Sequence, residues 1–186
     1  MKKKVLIIFV FLLSVFVCVS QDLIISCASI KKETTKISYY HHTNSGVAIY
    51  TSVTITPDSL IWNYSEARNG VNLCDVTKYN KTEFLTLIEK LSDTTFFLSG
   101  SGDRSVGGSG FSLYFETESG NYLTFDQSQA KSSGSNQVVD LITGFIENHP
   151  TRCEQLFREY AQKPHQRGHF GEFQELPKEL EQYRKR

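Results

Sequence analysis

SGFSLYFETESGNYLTFD, residues Ser109 to Asp126, decides the fold. Phe111, Leu113 and Phe115 alternate with Ser112, Tyr114 and Glu116, the period-two pattern of a strand with one buried face. Leu123 and Phe125 repeat the alternation on the return. A two-residue turn at Ser119-Gly120 would pair Phe115 with Thr124 and set the two apolar rows on opposite faces. A three-residue Ser119-Gly120-Asn121 loop instead pairs Phe115 with Phe125 and Thr117 with Leu123. Both rows then share one face, with Gly120 or Asn121 at positive φ.

An earlier stretch, SGVAIYTSVTITPDSLIWN from Ser45 to Asn63, repeats the plan, and both stretches open on Ser-Gly, an apolar residue, a small residue, an aliphatic residue and Tyr. Its turn is Thr56-Pro57-Asp58-Ser59, where Pro fixes φ and the Asp side chain bonds nearby backbone. Pairing Ile55 with Leu60 puts Val53 beside Trp62 on the core side.

Each hairpin leads to an amphipathic helix. Asn80 and Glu83 form a capping-box pattern ahead of the stripe Phe84, Leu87, Ile88 and Leu91. Asn136 caps a second helix with the stripe Val138, Leu141, Ile142, Phe145 and Ile146. Pro150 ends that helix. Thr151-x-x-Glu154 is a further capping box, opening a short helix with Cys153, Leu156, Phe157 and Tyr160 on one side.

The expected class is α+β. A four- to five-stranded, mainly antiparallel sheet carries two helices on one face in a ββαββα layout, with a short C-terminal helix and tail. Residues 1–20 read as a signal peptide, 21–44 as a polar tether, 45–163 as the single domain and 164–186 as a loosely attached tail with a turn around Leu180 and Tyr183. Ser65 to Lys78 reads as a polar connection, and Thr94 to Leu98 as a short strand. The Gly-rich run from Ser99 to Gly108 lacks the Gly-Lys-Ser/Thr ending of a phosphate loop and reads as a flexible approach to the second hairpin.

The chain opens on Lys2, Lys3 and Lys4 and an apolar run from Val5 to Val19, of signal-peptide length and short for a membrane span. Without residues 1–20 the balance is 17 basic against 20 acidic residues. That mild negative charge offers no basic patch for nucleic acid. Two processing sites compete. Cys18-Val19-Ser20 before Gln21 is a small-x-small site for simple cleavage. Ile24-Ile25-Ser26-Cys27 has lipobox character, with Cys27 as the lipid carrier, although Gln21 and Asp22 interrupt the apolar run before it. Simple cleavage leaves an odd count of Cys27, Cys74 and Cys153; lipidation of Cys27 leaves Cys74 and Cys153 as a possible disulfide. Membrane attachment is expected only through that lipid.

No nucleophile elbow, Walker loop or zinc-protease motif is present, and no cofactor signature. Three classes of function stand open. The first is a non-catalytic binding or interaction module, whose contact residues are those opposite the core face: Tyr50, Asn63, Tyr114, Glu116 and Tyr122. The second is a small hydrolase or metal-dependent enzyme using His41, His42, His165 or His169. Adjacent strand residues such as His41 and His42 point to opposite sides, and Arg167 and Gly168 break the metal spacing between His165 and His169. The third is a periplasmic inhibitor of a hydrolase. Phrases such as Thr54-Ile55-Thr56-Pro57-Asp58-Ser59 and the duplicated strand–strand–helix plan over about Gly46 to His149 resemble small exported bacterial cell-envelope domains, many of them lipoproteins. The resemblance implies an envelope location and a partner that is an envelope protein or a glycan. It implies no catalytic residues.

Simple cleavage is expected to give an intact mass that starts at Gln21. A mass starting at a lipid-modified Cys27 would assign the chain to the lipoproteins instead.

Overall fold

The computed structural model describes residues 32–43, 49–92, 109–120, 122–126, 136–162 and 175–185. Their strands are β1 (Thr34–Thr43), β2 (Ile49–Ile55), β3 (Ser59–Glu66), β4 (Val71–Lys78), β5 (Ser109–Thr117) and β6 (Tyr122–Asp126). They form one sheet in the order β4-β3-β2-β1-β5-β6, with every neighbouring pair antiparallel. The helices are α1 (Lys81–Ser92), α2 (Asn136–Asn148), α3 (Arg152–Ala161) and α4 (Lys178–Glu181). The class is α+β with an antiparallel sheet. Among the described residues no helix is long and apolar enough to cross a membrane. The expected signal segment, Cys27, the Gly-rich run and the strand at Thr94 to Leu98 lie outside the described residues.

Six strands exceed the four or five expected, because two segments that read as polar connections are strands. The first is β1, expected as the end of a tether, which pairs with β2 on one side and β5 on the other. It carries only Ile37 and Tyr39 as apolar residues on the core face. Its other face carries the polar or amphipathic Lys36, Ser38 and Tyr40, so its period-two signal is thin. Thr and Tyr nevertheless suit a pleated, half-buried strand. The second is β4, joined to β3 by a four-residue turn in which Gly70 has φ 61°. Its apolar alternation stops after Val71 and Leu73 because the next core-facing positions, Asp75 and Thr77, meet the start of α3. Asp75 Oδ2 accepts from the Cys153 N–H at 2.8 Å, and Thr77 Oγ1 donates to the Pro150 carbonyl at 3.2 Å. With β1 ahead of the first hairpin and β4 before α1, the chain runs ββββαββααα rather than ββαββα.

The first hairpin has the expected register, with Val53 opposite Trp62 and Ile55 opposite Leu60. Its turn closes through the Thr56 N–H to the Ser59 carbonyl at 2.9 Å, and Asp58 Oδ1 accepts from the Thr56 and Ser59 hydroxyls at 3.1 and 3.0 Å. The second hairpin differs by two residues. Phe115 faces Leu123 and Leu113 faces Phe125, and pairing stops at Glu116 and Tyr122. The Gly120 N–H donates to the Thr117 carbonyl at 3.0 Å, closing a turn that begins at Thr117, while on the other side of β5 Thr117 pairs with Thr34 of β1. A shift of two preserves parity, so the faces stay as predicted. Gly120 takes the positive φ, at 80°.

Ile37, Ile55, Leu60, Leu73 and Leu113 are wholly buried in one cluster with residues from the helices. Phe84, Leu87, Ile88 and Leu91 of α1 are buried as the stripe requires. In α2, Val138, Ile142 and Ile146 are buried and Leu141 and Phe145 pack partly against them. Phe157 of α3 sits 4.6 Å from the Tyr64 ring and 5.4 Å from Trp62, fastening that helix to β3.

The end of the tail is not loose. Leu180 is wholly buried. The Cys74 N–H donates to the Tyr183 carbonyl at 2.9 Å and the Lys185 N–H to the Asn72 carbonyl at 2.8 Å, so residues 183–185 cover the outer edge of β4. Unpaired strand edges invite association with other chains, and this cover removes one.

Ile37→Ala is expected to lower unfolding free energy by about 2–5 kcal/mol, as for a buried aliphatic cut to Ala in a packed core. Urea denaturation measures it; a loss within experimental error would show that β1 is not integral to the sheet.

Candidate functional site

Directly paired residues share a face of the sheet. Lys36, Ser38 and Tyr40 of β1 pair with Glu116, Tyr114 and Ser112 of β5, and Tyr40 and Ser38 also pair with Ser52 and Thr54 of β2. Ser52 and Thr54 in turn pair with Asn63 and Ile61 of β3. This face is opposite to Ile37 and Trp62. Strand alternation therefore builds it mainly from polar and tyrosine positions, with Ile61 and Val76 at the β3–β4 end, while the core takes most of the aliphatic ones.

On it Tyr50, Tyr40 and Tyr114 are 50, 45 and 37 % exposed, the three most accessible tyrosines among the described residues. Tyr40 and Tyr114 meet edge to face, with ring centroids 5.4 Å apart and planes at 90°. Beside them Lys36 and Glu116 form a cross-strand ion pair. Lys36, Ser38, Tyr40, Tyr114, Glu116 and Gly120 line a groove of about 520 Å³. The ion pair is half in solvent and contributes little to stability; it fixes charge at one end of the groove. Asn63 lies further along the face, and its Oδ1 is buried without a donor among the described residues. The chemistry on offer is amphipathic contact, with two aromatic rings, hydroxyls, and one positive and one negative group.

Of the residues predicted from sequence, Tyr50, Asn63, Tyr114 and Glu116 lie on this face. Tyr114 and Glu116 line the groove, while Tyr50 and Asn63 stand outside it. The backbone of Tyr122 pairs with Glu116, and its side chain lies outside the described residues. Lys36, Ser38 and Tyr40 were missed with β1. The signal that finds them is Ile37 and Tyr39 alternating with Ser38 and Tyr40, a short strand pattern inside a polar segment.

His41 is exposed on β1, the side chain of His42 lies outside the described residues, and so do His165 and His169. Among the described residues no group of three or more His, Cys, Asp or Glu is placed to hold a metal ion. Cys74 and Cys153 are free thiols. Cys153 is wholly buried at the start of α3; burial, with Asp75 adding to it, pushes its thiol up to about 12. A thiol held that far from ionisation is a poor nucleophile.

A second groove, of about 490 Å³, separates α1 from α2 and ends at His149. His149 Nε2 lies 2.9 Å from Glu83 Oε2, and Nδ1 lies 2.9 Å from the Phe145 carbonyl. Both neighbours are acceptors, so both contacts are hydrogen bonds only when the ring carries two protons. The bond from His149, with one from the Asn80 N–H, lowers the Glu83 pKa. The arrangement clasps two helices and presents no nucleophile.

No family model, no curated protein and no solved structure matches the chain, so the site is read from its own geometry.

Brief nitration with tetranitromethane, followed by peptide mass spectrometry, is expected to modify Tyr40, Tyr50 and Tyr114 well before Tyr64, which is 2 % exposed. Equal rates would mean that the tyrosine face is covered in solution.

Proposed function

We propose that the protein is an exported, non-catalytic binding module of the cell envelope, and that it meets an envelope protein or glycan through the tyrosine face of its sheet. The observation that supports this reading most directly is the exposure of Tyr40, Tyr50 and Tyr114 on one face, with Tyr40 and Tyr114 lining a groove that also holds the Lys36–Glu116 pair. Tyrosine supplies a large, stiff apolar surface with a polar tip, which suits both sugar rings and polypeptide. The reading takes the helices to cover the face of Ile37 and Trp62, in keeping with the shared core cluster, and leaves the other face for contact. The Lys-rich start and apolar run of the chain support export.

The test is a triple substitution of Tyr40, Tyr50 and Tyr114 by Ala. Aromatic anchors of an interface typically contribute about 1 kcal/mol or more each, so the triple variant should lose roughly a hundredfold or more in affinity. Two assays separate the partner classes: co-sedimentation with purified cell-wall glycan, and photocrosslinking from position 114 to envelope proteins. The circular dichroism spectrum and melting temperature should stay close to those of the parent chain. Unfolding of the variant would show that the tyrosines are structural, and unchanged binding in both assays would remove the face from consideration.

A further inference from the structure

With the tyrosine face taken as the contact surface proposed above, its groove restricts the occupant by charge, by shape and by hydrogen-bonding pattern. Lys36 and Glu116 are the ionic groups among the described lining residues, and they are paired with each other. Their charges cancel. A phosphate, carboxylate or ammonium entering the groove meets both signs side by side and gains no net attraction.

The shape suits a flat ring in a chain. Tyr40 and Tyr114 stand at 90° to each other, so together they present a ring face and a ring edge, a floor and a wall. The volume of about 520 Å³ is that of a small-ligand site. Gly120 lines one end, at the turn between β5 and β6. A Cβ built on it would meet nothing within 4 Å among the described residues, so that end is open and a chain can run out of it.

The hydrogen-bonding groups belong to side chains. β1 and β5 are interior strands with a ladder on each side, so a peptide main chain finds no strand edge to extend here. The groove offers the hydroxyls of Ser38, Tyr40 and Tyr114, each a donor and an acceptor, with the Lys36 ammonium as donor and the Glu116 carboxylate as acceptor. Sugar hydroxyls, which also both donate and accept, match that set. The C–H face of a pyranose ring matches a tyrosine ring.

We infer that the groove binds a neutral oligosaccharide of β-linked, gluco-configured pyranose units. One sugar ring stacks on Tyr40 or Tyr114, and its hydroxyls bond to Ser38 and to the half-exposed Lys36–Glu116 pair. Equatorial substituents leave both faces of such a ring free for aromatic contact. Tyr50 lies on the same side of the sheet but outside the groove, and takes no part.

Titration calorimetry of the full chain with cellohexaose, chitohexaose and the acidic hexagalacturonate tests the assignment. At least one of the two neutral chains is expected to bind, about tenfold or more tighter than hexagalacturonate. Tyr114→Ala should lower that affinity by about tenfold, while Tyr50→Ala should leave it within about twofold. Glu116→Gln releases the Lys36 ammonium and makes the lining positive, so it should shift preference severalfold toward hexagalacturonate. An unchanged preference would refute the selection by charge, and equal losses in Tyr50→Ala and Tyr114→Ala would move the contact off the groove. No saturable binding of either neutral chain would overturn the glycan assignment. In that event, capture of an envelope protein by crosslinking from position 114 would show that the face binds a protein instead, and no capture would remove the face as well.

Discussion

The sheet depends on one strand taking partners on both sides. The meander β2–β3–β4 and the hairpin β5–β6 have no ladder in common; β1 lies between them and pairs with each. Ile37 sits at that join, opposite Ile55 on one side and Phe115 on the other, and is wholly buried. A strand edge left unpaired is a liability, and without β1 two would face each other across a gap in the core. The same strand brings Lys36, Ser38 and Tyr40 beside Glu116 and Tyr114. The join that completes the sheet therefore also makes the groove.

The two hairpins and the helices were legible because their apolar residues recur with a clear period. Val53 opposite Trp62 and the stripe Phe84, Leu87, Ile88 and Leu91 stand where alternation and helical spacing put them. What escaped was β1 and β4. A strand in the middle of a half-solvated sheet needs few apolar residues, and β1 has Ile37 and Tyr39. In β4 the core-facing Asp75 serves the N-terminus of α3 and looks from sequence like a loop residue. The register of the second hairpin differs by two residues because its turn closes at Thr117, whose carbonyl takes the Gly120 N–H. Parity survived, so Tyr114 and Glu116 were placed on the correct face even though the pairing was not.

Similar local motifs reach different ends in this chain. Asn80 and Thr151 both cap their helices with their side chains, but Glu83 and Glu154 use their carboxylates differently. Glu83 turns one oxygen to His149 near the surface and draws α1 and α2 together, consistent with its lowered pKa. Glu154 keeps one in the interior, with Arg158 on the other oxygen. Sequence shows the box in each case. Only the packing around α3 shows that one oxygen of Glu154 has no donor among the described residues.

The covered edge of β4 bears on how a partner can be met. An extended peptide that adds to a sheet needs a row of free backbone groups, and on β4 residues 183–185 already use the Cys74 N–H and the Asn72 carbonyl. Strand addition there would have to displace Tyr183 and the segment that follows the wholly buried Leu180. Contact through the face carries no such cost. Tyr40 and Tyr114 already stand edge to face on the surface, so their rings lose little freedom when something is laid against them. For the proposed contact, side chains on the sheet face are therefore a less costly route than strand addition at β4.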